Sequence, residues 1–172
     1  RFESRGLGDV YKRQVEVISE PVLVKKRSRD CFWYSPVLNE ELKKSFGDLV
    51  AVPKTNAELS KCLSLAHENN VPIVVRGGGT GNYGQSVPID GGLIIQTTEL
   101  NKILEIGDGF VRVQAGALMS DINAQLKTTG WEMAMFPSTQ KLATIGGFVA
   151  GGSVGIGSLM NGALRDPGNI HE

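Results

Sequence analysis

The sequence predicts an α+β fold in two lobes, a small parallel β-α-β lobe followed by a larger, mainly antiparallel one. Three observations carry this. A strand–helix–strand pattern runs over residues 49–75. Three short strand-like runs then crowd into residues 93–114, around a Gly107-Asp108-Gly109 turn. Fourteen of the 22 glycines fall in two windows, residues 77–92 and 146–162. Glycine costs backbone entropy, so such density suits segments that take positive φ or approach something closely. Two such loops suggest one extended ligand gripped from both sides, and their N–H groups suggest that it is anionic.

Taken in order, residues 1–14 have no initiator Met and no apolar periodicity, and they read as translated vector or library sequence outside the fold. Residues 15–46 read as an N-terminal arm that mixes a basic cluster over 25–29 with Phe32, Trp33 and Tyr34; the bland account of the cluster is a solvated surface. Residues 49–52 form a strand ending at Pro53. Thr55-x-x-Glu58 is a capping-box signature, and Leu59, Cys62, Leu63 and Ala66 make the helical stripe behind it. Asn69, Asn70 and Pro72 stop that helix before a buried strand at 73–75, which completes a β-α-β unit. Strands follow at 93–97, 103–106 and 110–114, the last two as a hairpin. Leu118, Ile122 and Leu126 make a second helical stripe, capped by Gly130. Residues 131–162 read as loop with a short helix near 145–150. A turn at 166–169 then announces a strand, so the chain reads as a fragment in which residues 47–172 are an incomplete domain.

Bulk composition narrows the function. No window approaches the ~18 apolar residues that span a bilayer, so no integral membrane segment is expected. Formal net charge is zero, which argues against nucleic acid as a partner. Residues 46–172 carry 8 Lys and Arg against 11 Asp and Glu, so an anion there must be held by backbone dipoles rather than a basic field. Cys31 and Cys62 form neither a disulfide framework nor a metal-ligand set; a reducing, cytoplasmic setting and no metal are expected. His67 reads as a solvated helix-end residue, and His171 carries no inference. Arg165 and Asp166 fit a local ion pair as well as a cofactor contact.

The first glycine loop has three readings. Gly79-Thr-Gly81-Asn-Tyr-Gly84 matches the dinucleotide fingerprint, but only residues 85–92 precede the next strand, and they include Pro88. A crossover helix needs at least ~10 residues and does not fit. The same stretch is a near miss to a P-loop, with Gln85 where Lys is required. The third reading needs no helix: the N–H groups of residues 77–82 turn toward a pyrophosphate as a backbone nest.

Val75-Arg76-Gly77-Gly78-Gly79-Thr80-Gly81-Asn82, then Phe136-Pro137-Ser138-Thr139, then Ala143-Thr144-Ile145-Gly146-Gly147, resemble the PCMH-type FAD-binding domain of the vanillyl-alcohol oxidase/p-cresol methylhydroxylase superfamily. The similarity covers about residues 47–170 and is greatest to the glycolate oxidase/D-lactate dehydrogenase branch. It implies that Arg76, Gly77, Gly78, Gly79, Thr80, Gly81 and Asn82 wrap the FAD pyrophosphate, with Tyr83 nearby. Many members carry in this loop a histidine bonded covalently to the flavin. Thr80 stands at that position here, which implies noncovalent FAD. From the other lobe the resemblance implies Pro137, Ser138, Thr139, Thr144, Ile145, Gly146 and Gly147 facing pyrophosphate and flavin. Gly151, Gly152, Gly155 and Gly157 either let the chain pass close to the cofactor or only make tight turns.

The implied activity is oxidation of a small molecule, a 2-hydroxy acid or similar alcohol, by hydride transfer to FAD. Oxygen, a quinone or a carrier protein then takes the electrons. In relatives the catalytic residues come mostly from a separate cap domain, so none is named, and a location peripheral to the inner membrane is compatible. Two alternatives stay open: an NADPH-dependent flavin reductase like UDP-N-acetylenolpyruvoylglucosamine reductase, and a fragment that binds nucleotide without catalysis.

Overall fold

The computed structural model describes residues 15–164 and 166–170. The expectations for residues 1–14, Arg165 and His171 lie outside them. The chain divides into two compact units, Arg1–Leu100 and Asn101–Glu172.

The first unit holds β1 (Glu16–Ile18), α1 (Pro21–Arg27), a 3-10 turn (Phe32–Tyr34), α2 (Pro36–Leu42), β2 (Leu49–Val52), α3 (Asn56–Glu68), β3 (Ile73–Arg76) and β4 (Leu93–Gln96). The sheet order is β1-β2-β4-β3. β2 and β3 both run parallel to β4, with Val50 and Val74 opposite Ile94. The β-α-β reading therefore holds in direction, but β4 inserts between the two strands instead of standing apart from them. The cause is the unbroken apolar run Leu93-Ile94-Ile95, whose members are at most 1% exposed, as a strand covered on both faces requires. Val75, at the sheet edge, is 58% exposed.

Alternation along the strands splits the core into two layers. Leu49, Ala51, Leu93 and Ile95 pack with Cys62 and Ala66 of α3. Val50, Val52 and Ile94 pack on the other side with Val24 of α1. Residues 15–46, expected as an arm, thus supply an edge strand, antiparallel to β2, and a covering helix. A three-residue strand is too short to show alternation, which is why sequence reasoning passed over β1.

α3 starts as its signature predicts, with Thr55 Oγ1 accepting the Glu58 N–H at 3.1 Å. The Glu58 carboxylate reaches back to the Lys54 N–H at 2.8 Å, one residue before the cap itself. Thr55→Ala is expected to cost about 1 kcal/mol. Urea unfolding should show a lower midpoint at unchanged slope; an unmoved midpoint would mean that the cap contributes nothing.

The second unit carries the hairpin β5 (Ile103–Ile106) and β6 (Val111–Val113), then α4 (Met119–Lys127), α5 (Ile145–Ala150) and α6 (Ser158–Asn161). β5 and β6 pair antiparallel, as the Gly-Asp-Gly turn predicts, and Gly109 takes φ +80. Ile122 and Leu126 pack with Ala117, Ile103, Ile106, Val111 and Val113. α4 ends with Thr128 at its C-cap, and Gly130 turns the chain two residues later at φ +84, while Leu118 lies at the N-cap and leaves the first buried position to Met119. This unit carries the antiparallel hairpin expected of the second lobe, while β4 and residues 15–46 belong to the first unit.

Candidate functional site

Residues 77–84 leave the C-terminal end of β3, where Arg76 pairs with Gln96 at the C-terminal end of the central strand. Open parallel sheets take ligands at this edge. Gly79 and Gly84 have φ +66 and +77, a region that costs other L-residues roughly 1–2 kcal/mol. Among the described residues, no acceptor meets the backbone N–H groups of residues 77–83. No helix stands between the loop and β4, so the dinucleotide-helix and P-loop readings both lack the element they need. What the loop offers is a run of N–H donors, which suits an anion with several oxygens.

Residues 29–31 tie this loop down from its inner side. Arg76 Nη1 donates to the Arg29 carbonyl at 2.5 Å. The Cys31 N–H donates to the Gly81 carbonyl at 2.8 Å. Asp30 Oδ2 accepts the Gly84 N–H at 3.0 Å, while Oδ1 accepts the Phe32 N–H at 2.8 Å in an Asx turn. Glycine lets the loop lie close against these groups. A Cβ on Gly79 would overlap the Arg76 guanidinium, and one on Gly81 would lie 2.6 Å from Gln85 Oε1 and 3.3 Å from Asp30 Oδ2.

Electrostatics under the loop are tight. Burial raises the Asp30 carboxyl above the ordinary range, against the opposing pull of the Phe32 and Gly84 N–H groups and the Arg76 charge. Burial, followed by repulsion from Arg27, lowers Arg76 from its ordinary value. The Arg76 side chain, expected among the cofactor contacts, is committed to the Arg29 carbonyl inside the unit. Asp30 escaped sequence reasoning because the basic cluster around it reads as solvated. Its signal was Asp-x-Phe, an Asx-turn pattern ahead of a buried aromatic residue.

The second window behaves differently. Most of the N–H groups of Thr144 to Gly147, the segment expected to face pyrophosphate and flavin, find acceptors within the protein. Ile145 donates to the Ala117 carbonyl at 2.9 Å and Gly146 to the Ala115 carbonyl at 2.8 Å. Gly147 donates to Thr144 Oγ1 at 3.3 Å, because Thr144 is itself the buried N-cap of α5. Three of these four N–H groups therefore bond within the protein. Gly151 donates to Gly147 and Gly152 to Val149, each at about one helical turn, and Gly155 donates to Ser158 Oγ at 2.7 Å.

Close backbone packing explains several of these glycines. A Cβ on Gly146 would lie 2.6 Å from the Ala115 Cβ, and one on Gly155 would overlap the Phe136 carbonyl. Phe136 and Ile156 exchange both backbone hydrogen bonds, which brings Pro137 beside Gly155. Ser138 and Thr139 are exposed, with Thr139 O accepting from Leu142 and Ala143. Tyr83 is 74% exposed next to the exposed Asn82.

His67 is exposed near the end of α3, as expected. Cys62 is buried, and burial pushes its thiol up. Among the described residues, no group of three or more His, Cys, Asp or Glu is placed to hold a metal, and no helix is long and apolar enough to cross a membrane.

Comparison with known proteins agrees with the motif reading. The chain is 36% identical over 124 residues to the glycolate oxidase subunit GlcD of Bacillus subtilis, covering 71% of this chain and 26% of that protein. It is 34% identical over 125 residues to the D-2-hydroxyglutarate dehydrogenase of Escherichia coli, covering 69% of this chain and 12% of that protein. The chain thus spans about a quarter or less of the length of these relatives. In fold it matches an alkyldihydroxyacetonephosphate synthase structure at TM-score 0.80 and 20% identity, over 96% of this chain and 35% of that one. Residues 47–167 match the family model described as an FAD binding domain. With its sheet order, its helix-free glycine loop and these matches taken together, the chain belongs to that FAD-binding domain family.

Proposed function

We propose that this chain is the FAD-binding part of a flavin-dependent oxidoreductase that oxidises a 2-hydroxy acid, and that it holds FAD noncovalently. The observation that carries this is the run of N–H groups at residues 77–83, which no acceptor meets among the described residues. A diphosphate brings several charged oxygens to such a run, and each charge-assisted hydrogen bond contributes roughly 1.5–3 kcal/mol. The residues fit the group: Gly77, Gly78, Gly79 and Gly81 put no side chain between backbone and anion. The inner side of the loop is already occupied by Arg76, Gln85 and Asp30. Thr80, half-buried in the loop, has a hydroxyl that forms no stable bond to a flavin ring.

The substrate class comes from the relatives, whose names specify glycolate and D-2-hydroxyglutarate, both 2-hydroxy acids. FAD, when bound, supplies the redox chemistry by accepting a hydride. This chain's own contribution is to grip the diphosphate and orient the cofactor.

FAD added to the protein should lose fluorescence on binding, and acid precipitation should return the flavin to the supernatant. Flavin that stays with the pellet overturns the noncovalent assignment. A protein that takes up no FAD at all overturns the functional reading.

A further inference from the structure

We propose that Asp30 is a positioning residue that sets the curvature of the glycine loop, so that the Asn82 N–H is presented to the diphosphate. The proposal rests on the FAD reading above and names a residue far outside the glycine motifs.

The argument is one of peptide geometry. The described chain has no cis peptide bond, so each carbonyl and the following N–H point in opposite directions. The Gly81 carbonyl faces the Cys31 N–H at 2.8 Å, so the Asn82 N–H points away from the clasp. Two residues later the Gly84 N–H turns back in to Asp30 Oδ2 at 3.0 Å, so the Tyr83 carbonyl points away. Asp30 and Cys31 thereby fix two peptide planes, 81–82 and 83–84, in opposite orientations. Between them lie Asn82 and Tyr83, both exposed.

A carboxylate suits this task better than an amide. Oδ1 and Oδ2 each accept one N–H, from Phe32 and Gly84. An amide of the same size offers one acceptor oxygen and leaves one of these donors facing an NH2 group. The charge of Asp30 does not repel an anion above it unopposed, because the buried Arg76 attracts it from the same side.

The test compares the wild-type chain with Asp30→Asn by FAD fluorescence titration and amide hydrogen exchange. In the FAD-free wild type, the Gly84 amide should exchange at least about tenfold more slowly than Asn82, and FAD should then slow Asn82. Asp30→Asn should weaken FAD binding on the order of tenfold and speed exchange at Gly84. Wild-type affinity in the variant overturns the proposal while leaving the FAD reading intact. Failure of the wild type to bind FAD overturns the FAD reading, and the proposal with it. If Asp30→Asn does not fold, the wild-type exchange pattern decides alone: slow Gly84 with FAD-slowed Asn82 supports the clasp, and fast Gly84 overturns it.

Discussion

Gly79→Val is expected to raise the Kd for FAD on the order of 100-fold. Gly79 sits at φ +66, and a Cβ there would overlap the guanidinium of Arg76. Valine, branched at Cβ, pays for that conformation with roughly 1–3 kcal/mol of strain. It also has to displace Arg76, which is buried and bonded to the Arg29 carbonyl, so one tie of the inner clasp opens. Relaxing the loop away from positive φ reorients the peptides on either side of residue 79. Losing two charge-assisted hydrogen bonds at about 1.5 kcal/mol each corresponds to somewhat more than 100-fold in affinity. FAD titration and urea unfolding of the FAD-free variant separate the two effects. An unchanged Kd would sink the assignment of this loop to the diphosphate. Equal losses in binding and stability would mean that Gly79 only makes a tight turn.

Local signals in the sequence were enough for those parts of the fold that neighbouring residues decide. Thr55 and Glu58 start α3 because cap and carboxylate lie within one turn of each other. Gly107-Asp108-Gly109 makes the hairpin because Gly109 takes φ +80, a region open to glycine. Sheet order was not legible in the same way. Nothing near residues 93–96 states that they pair between β2 and β3; that follows from covering both faces of Leu93-Ile94-Ile95 at once. The clasp was hidden for a related reason. Asp30 and Gly84 are 54 residues apart, and only the folded chain brings them together. The two glycine windows looked alike in sequence, yet their main chains differ in one physical respect. Among the described residues, the N–H groups of 77–83 in the first meet no acceptor, whereas in the second Gly146, Gly147, Gly151, Gly152 and Gly155 all donate within the protein. Composition reports glycine density, but only geometry tells presentation from packing.

That distinction predicts a different outcome in the second window, where Gly157→Val should cost about 3 kcal/mol of stability. Gly157 stands at the N-cap of α6 with φ +97, and a Cβ there would overlap the Ala134 carbonyl. Left-handed backbone costs an L-residue roughly 1–2 kcal/mol, and β-branching adds to this. The clash is with main chain, which cannot rotate aside as a side-chain tip can. Asn161 Nδ2 donates to both the Ala134 and Gly157 carbonyls at 3.0 Å, so forcing the strands apart also loosens a hydrogen bond worth about 1 kcal/mol. Gly130 provides the control, because it has φ +84 but nothing within 4 Å of its would-be Cβ. Gly130→Val therefore isolates the conformational strain, at roughly 1–2 kcal/mol. Urea unfolding of the two variants yields the close-approach cost as their difference, on the order of 1–2 kcal/mol. If both variants lose the same stability, the second window is glycine-rich for its φ angles alone, and close packing against residues 134–136 is not the reason.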